Sequence, residues 1–292
     1  MTPLRHSTIK QAGKSAASQS AKTPARTPAF FGPYQLVRQL GSAGVVERHG
    51  AIHVRRQTSH LIYRFGEMHD RVERRRLNQA FELLAGFKHP HAMPIEHFAF
   101  GAQGRGWLVS TYPGNQDGLV TLSNLLELKG GRLGEFEAER AIGQLLSLVQ
   151  AGHDRGLHHE PLTIGEVLVD RSGALVVELF GFRHVLASRG VPAAGFDPML
   201  AREELRGVAE LGYLLLTGLE LSDSAIPPSR LLRKLDRAWD EWFEAATDPS
   251  GGYQSAAEAA EALPSSRRLA EPPTPPANKV RVVLDRFRVR TP

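Results

Sequence analysis

His153-Asp154-Arg155-Gly156-Leu157-His158-His159-Glu160-Pro161 marks the point where the character of this 292-residue chain changes. Ahead of it, residues 135–155 carry helical spacing, and 141–152 is the longest uncharged helical stretch. Behind it, Val167-Leu168-Val169 and Leu175-Val176-Val177 flank Asp170-Arg171-Ser172-Gly173, a turn sequence ending in glycine, which predicts a hairpin. Leu179-Phe180-Gly181 follows the second strand.

Upstream, apolar and polar residues alternate over 34–40, 45–56 and 60–65, as strands do. Gly41-Ser42-Ala43-Gly44 is the first turn, and His49-Gly50 marks a bulge. Residues 71–86 have helical spacing through Val72, Leu77, Ala80, Leu83 and Leu84; strands follow near 96–100 and 106–112. Downstream the pattern is helical over 119–128, 201–216, 230–247 and 255–263. A small β-rich part followed by a larger helical part leaves a cleft at 112–118, where ligands favour binding.

The chain contains no cysteine, which removes disulfides, thiolate zinc sites and cysteine nucleophiles. No apolar run reaches the roughly 20 residues of a membrane span, so the protein is read as soluble and cytoplasmic. The net charge of +5 is uneven: residues 1–46 hold no acid, while Arg5, Lys10, Lys14, Lys22 and Arg26 lie among Ser, Thr, Ala and Pro. Such a tail reads as a disordered solvated segment rather than a specific nucleic-acid binder or a secretory signal. The runs Arg55-Arg56 and Arg74-Arg75-Arg76 read as solvated faces, and Trp239 and Trp242 as core contacts. Beyond Pro272-Pro273-Thr274-Pro275-Pro276, residues 279–290 alternate basic and apolar residues and read as a short strand.

Over 34–263 the framework resembles the bacterial Ser/Thr protein kinase family. Leu40-Gly41-Ser42-Ala43-Gly44 is similar to the start of a glycine-rich loop, and Leu84, Phe87, His89 and Pro90 to the end of the regulatory helix. Leu108-Val109-Ser110-Thr111-Tyr112 sits where the hinge strand would be; His153 to His159 leads into the catalytic loop. Leu215-Leu216-Thr217-Gly218 resembles the end of the buried central helix, and Asp248-Pro249 with Tyr253-Gln254-Ser255-Ala256 the last helix junction. The resemblance implies an α+β, bilobal protein-kinase-like fold: an N-lobe and hinge over 33–112 and a mainly helical C-lobe over 113–264. A basic tail (1–32) and a Pro-rich linker with a terminal strand (265–292) flank them.

The groups that phosphoryl transfer requires are replaced. Within the Gly-x-Gly-x-x-Gly pattern, Gly41 and Gly44 remain, while Ala43 and Val46 stand for the second and third glycines. The strand lysine aligns with Arg64 and its glutamate partner with Ala80. The His-Arg-Asp triplet falls at His159-Glu160-Pro161, and proline accepts no proton. The metal-binding asparagine falls at Glu166; the Asp-Phe-Gly aspartate is Leu179, whose hydrocarbon cannot hold magnesium. The buried-helix aspartate becomes Glu204, the arginine of the Ala-Pro-Glu pair falls at Gly252, and 218–226 is too short for the helix that docks substrates.

The resemblance therefore implies a catalytically degenerate member, a pseudokinase: a regulatory or scaffolding module for a protein partner, an active kinase or its substrate among them. No cofactor is expected, although ATP held without efficient turnover at Gly41, Gly44, Arg64, Ser110 and Tyr112 is compatible with the pattern. The alternative is a weakly active enzyme in which Glu160 and Glu178 serve from one position early. Strand alternation turns Glu178 away from that role. His153, His158, His159 and Glu160 are suitable metal-ligand types, but structural roles are expected of the first and third, and no metal is assigned.

Overall fold

The computed structural model describes residues 29–43, 46–101, 104–114, 118–187, 196–222, 225–249 and 252–266. The first part contains β1 (Ala29–Phe31), β2 (Tyr34–Ala43), β3 (Val46–His53), β4 (Ser59–Arg64), α1 (Arg71–Gly86), β5 (His97–Phe100) and β6 (Gly106–Thr111). After it come β7 (Val120–Thr121), α2 (Leu122–Leu128), α3 (Glu135–His153), β8 (Val167–Val169), β9 (Leu175–Val177) and α4 (Phe182–Ala187). The chain continues through α5 (Pro198–Thr217), α6 (Pro228–Leu231), α7 (Ala238–Thr247) and α8 (Ala256–Glu261).

The strands of the first part form one antiparallel sheet in the order β1-β2-β3-β4-β6-β5. The sheet curls strongly, because Phe31 at one edge stacks on Trp107 of β6 at 4.3 Å. Tyr34, Ala51, Ile62 and Val109 are buried against this pair. On the other face Leu61, Tyr63, Phe65 and Leu108 join α1 residues Leu77, Ala80, Phe81 and Leu84 in the main core. Helix α1 starts where Asp70 accepts the Val72 N–H at 3.0 Å, and its buried residues recur three and four apart.

A second small sheet, β7-β8-β9, leads into the helices. α5 is wrapped on most sides, with Leu205, Val208, Ala209, Leu215 and Leu216 buried, and packs on α3 and α7. Asp197 caps its start ahead of Pro198, and Gly218 ends it in a left-handed conformation at φ 79°. Trp239 and Trp242 are fully buried, as their spacing predicts. This is a mixed α+β arrangement, compatible with the two-lobed layout expected from the resemblance. No helix among the described residues is long and apolar enough to cross a membrane.

Four expectations are corrected. Residues 29–31 pair with β2 instead of ending a tail. The ladder is irregular on either side of His49-Gly50, but the extra residues are on β2: Val37 between the pairs Leu36–Ala51 and Arg38–Gly50, and one of Leu40-Gly41 opposite Arg48 between Gln39–His49 and Ser42–Glu47. The predicted helix 119–128 begins with strand residues: β-branched Val120 and Thr121 pair with β8, and Thr121 Oγ1 then caps α2 by accepting the Asn124 N–H. The predicted helix 230–247 is broken, because the Asp236 carboxylate takes the Ala238 N–H and restarts the chain as α7. Ser229 then bonds Asp240 through both N–H and Oγ, fastening α6 to α7. Residues 1–28, Gly44 and the expected strand 279–290 lie outside the described residues.

Candidate functional site

The inner face of the sheet meets the end of β9 below the Gly41 turn. Side chains alternate along β4, so Leu61, Tyr63 and Phe65 face inward and Arg64 faces the other way. Arg48 stands opposite Tyr63 in the β3–β4 register and shares its face. Arg48 Nη1 donates to Glu178 Oε2 at 2.7 Å, and Tyr63 Oη donates to Glu178 Oε1 at 2.8 Å. Arg48 Nη2 also reaches the Ser42 carbonyl at 3.4 Å, and its guanidinium underlies Gly41. A carboxylate from the far side of the cleft thus ties the sheet to the hairpin beneath the turn.

Two expectations fail here. Arg64 does not occupy the inward lysine position: it pairs with Glu47 at 3.2 Å and lies over Trp107 at 5.5 Å. Tyr63 is the inward residue. Glu178 does not turn away: its carboxylate reaches Arg48 and Tyr63, and the next residue, Leu179, adopts a left-handed φ of 48°. The Glu178 N–H still bonds the Glu166 carbonyl, so its side chain is delivered to the sheet. Left-handed backbone at leucine costs on the order of 1–3 kcal/mol and needs surrounding support. Leu179 has that support: Phe182 N–H bonds the Leu179 carbonyl, and the Gly181 N–H donates to His159 Nδ1 at 3.0 Å.

Burial pushes the Glu178 carboxyl up from its usual range, against the pull of Arg48 and Tyr63. Burial and the Glu178 charge raise the Tyr63 phenol well above 10.0. Tyr63 therefore stays a donor and Arg48 is the cation of the cluster.

The catalytic-loop positions are also engaged. Arg183 donates to Glu160 at 2.9 Å and to Glu166 at 2.9 Å, and Thr163 Oγ1 donates to Glu166 at 2.8 Å. Pro161 packs against Gly207, where a methyl group would meet it at 3.1 Å. His159 stacks on Phe180 at 5.0 Å, and Phe180 stacks on Phe87 at 5.5 Å. Because His159 Nδ1 accepts from Gly181, the ring is neutral, and burial lowers its pKa accordingly.

Behind the loop, Glu204 accepts from His153 Nε2 at 2.5 Å, from His158 Nδ1 at 2.9 Å and from the His159 N–H. His158 Nε2 accepts the Asp197 N–H at 3.1 Å, so both of its nitrogens are used. His153, His158 and Glu204 gather ligand-type atoms in one place, while His159 and Glu160 point elsewhere. The close N–O spacing is that of proton-bridged donors, narrower than the edge of a tetrahedral zinc site with bonds near ~2.0–2.1 Å.

Of the expected nucleotide contacts, Gly41 lies over Arg48, and buried Ser110 turns its hydroxyl to the Pro94 carbonyl at 2.5 Å. Tyr112 lies beyond the end of β6, its ring against Gly114. Ala80 is buried in the core, and Gly252 abuts the Ala245 carbonyl so closely that no side chain fits there. Sequence reasoning missed Arg48, Tyr63 and Arg183. The alternation of Leu61, Tyr63 and Phe65 was the available signal for the second.

Gly152 tests this stack. A methyl group there would meet Phe180 Cε1 at 2.8 Å and the Leu157 carbonyl at 3.0 Å. Gly152→Ala should cost about 1–3 kcal/mol in chemical denaturation, as overpacking does. A neutral result would mean that the Phe180 ring shifts freely.

No protein-family model matches the chain. It is similar to three proteins of Oryza sativa subsp. japonica. CBL-interacting protein kinase 9 is 27% identical over 171 residues, which are 54% of this chain and 34% of that protein. CBL-interacting protein kinase 1 is 28% identical over 151 residues, 52% of this chain and 29% of that protein. CBL-interacting protein kinase 31 is 34% identical over 96 residues, 32% of this chain and 20% of that protein. The chain spans 34% or less of the length of these relatives. At the level these matches reach, the chain has a distant similarity to plant protein kinases.

Proposed function

We propose that this chain is a two-lobed, protein-kinase-like domain without phosphoryl transfer, acting as a regulatory or scaffolding module that binds a protein partner. The observation that carries the reading is the Arg48–Glu178–Tyr63 bridge beneath the Gly41 turn. In that space a kinase needs a cation directed at phosphates and a free carboxylate for magnesium. Here the cation and the carboxylate neutralise each other.

The residues present do not fit a magnesium nucleotide. Leu179 offers no ligand atom, and Glu166 is committed to Arg183 and Thr163. Pro161 supplies no base. Meanwhile the internal frame is kept: Glu204 fastens the loop, and His159, Phe180 and Phe87 form a continuous stack. A retained frame with discharged chemistry is what a binding module requires. An active kinase or its substrate is the class of partner this reading favours.

Thermal unfolding of the whole chain, with and without ATP and with and without magnesium, tests the reading. A ligand of the folded state at 100 times its Kd stabilises by about 2.7 kcal/mol, which a melt detects. The expected result is four coincident midpoints and no labelled phosphate transferred to a generic protein substrate. A shift with ATP alone would leave inactivity standing and add nucleotide binding at the hinge, Ser110 to Tyr112. A magnesium-dependent shift or measurable turnover would overturn the reading.

A further inference from the structure

A second concavity begins at the start of α5, where Asp197 donates its N–H to His158 Nε2. Two adjoining hollows, of about 580 and 990 Å³, run between α5 and α7 and share Arg206, Thr247, Asp248 and Pro249. They are accompanied by unusually exposed apolar side chains: Met199 is 71% exposed and Ile226 50%. The connection from α5 to α6 runs along this face through Leu221, Ser222, Ala225 and Ile226, with no helix among its described residues.

The lining is acidic. Asp197, Glu203, Asp240, Glu241, Glu244 and Asp248 face it, against two guanidiniums, those of Arg202 and Arg206. This is the reverse of the chain as a whole, whose net charge is +5. Residues 279–290 have the complementary composition: Lys279, Arg281, Arg286, Arg288 and Arg290 against the single acid Asp285, interleaved with Val280, Val282, Phe287 and Val289.

We infer that the 279–290 segment of the same chain docks in the α5–α7 groove, its cations on the exposed carboxylates of Glu203 and Glu244 and its apolar residues on the floor. The twelve residues between Ser266 and Lys279 extend up to roughly 40 Å. Tethering makes the encounter intramolecular, at an effective concentration on the order of millimolar, so modest contacts suffice. The Pro-rich stretch 272–276 limits the slack in the tether. The groove shares no lining residue with the Arg48–Glu178–Tyr63 bridge, so this inference stands or falls apart from the question of nucleotide binding.

Hydrogen exchange on the whole chain tests it. In the parent, amides of the α7 C-terminus and of the first turn of α5 should exchange about tenfold more slowly than in Arg286→Glu/Arg288→Glu. Glu203→Arg/Glu244→Arg, which alters two exposed side chains, should lose the same protection. Combining all four changes should restore it, because each charge pair is reversed intact. Equal exchange in parent and tail variant would overturn the proposal. Protection that rises with protein concentration would also overturn it, by assigning the groove to a second copy. So would a groove in the parent that takes up an added synthetic 279–290 peptide as tightly as the tail variant does.

Discussion

Replacing Glu178 with alanine is expected to lower the unfolding free energy by about 3–5 kcal/mol, the cost of removing one partner from a buried pair. The side chain of Glu178 is 1% exposed and that of Arg48 12%, so the stranded guanidinium gains little from water. The Tyr63 hydroxyl loses its acceptor in the same change. Arg48→Met/Glu178→Leu should recover most of the loss, because replacing both charges leaves no uncompensated group. Tyr63→Phe should cost only about 1 kcal/mol. Denaturant melts of the three variants beside the parent separate these cases; a double variant as unstable as Glu178→Ala would mean that the attraction within the pair, not its desolvation, dominates.

The pH dependence has a definite sign. Burial raises the folded-state pKa of Glu178 above 4.5. Its contribution is therefore fully present below about 4.5 and is lost as pH rises through the raised value. Glu178→Gln should remove that slope. His159 behaves oppositely: burial lowers its pKa from 6.5, so its contribution holds above that value and fades as pH falls.

The second large effect is expected at Glu204. Its carboxylate receives three donors in a buried site, and Glu204→Ala strands all three. Each unpaired buried donor costs about 1–3 kcal/mol, and whole domains are stable by only about 5–15 kcal/mol. The variant should therefore be partly or wholly unfolded at 25 °C by circular dichroism. Glu204→Gln provides the graded comparison, since its amide oxygen accepts from the His159 N–H while its NH2 opposes the imidazole donors. An intermediate loss is expected; parental stability in Glu204→Ala would show that water replaces the carboxylate.

Much of this arrangement was legible where the chain obeys local rules. Residues 71–86 carry an apolar stripe at helical spacing, and the helix found has those bounds. The hairpin around Asp170–Gly173 was equally plain, since its turn residues and flanking valines leave few alternatives. The break before α7 was not legible, because the residues of 232–237 allow helix and only the Asp236 and Ser229 hydrogen bonds end it.

The site was harder for a related reason. Motif alignment placed a cation at Arg64, and Arg64 is indeed a cation, but pleating decides which face it serves. Neighbouring Leu61 and Phe65 share the core face with Tyr63, which excludes Arg64 from it. Glu178 was read through alternation, yet its carboxylate is held by Arg48 and Tyr63, and the leucine after it is left-handed. Such a conformation depends on contacts with His159 and Phe182 that are distant or not apparent in local sequence.

The placement of the indole rings has an optical consequence. Of the three tryptophans in the chain, Trp107 stacks on Phe31 within the curled sheet, while Trp239 and Trp242 lie in α7. Emission from the first therefore reports the sheet, and emission from the other two reports the helical part. A chain carrying Trp107→Phe would have no indole emission from its first part, so the difference between its emission and that of the parent, excited on the red edge where tyrosine does not absorb, isolates the sheet. Any separate loosening of the two halves, in a partner's presence or on heating, becomes visible without an attached dye.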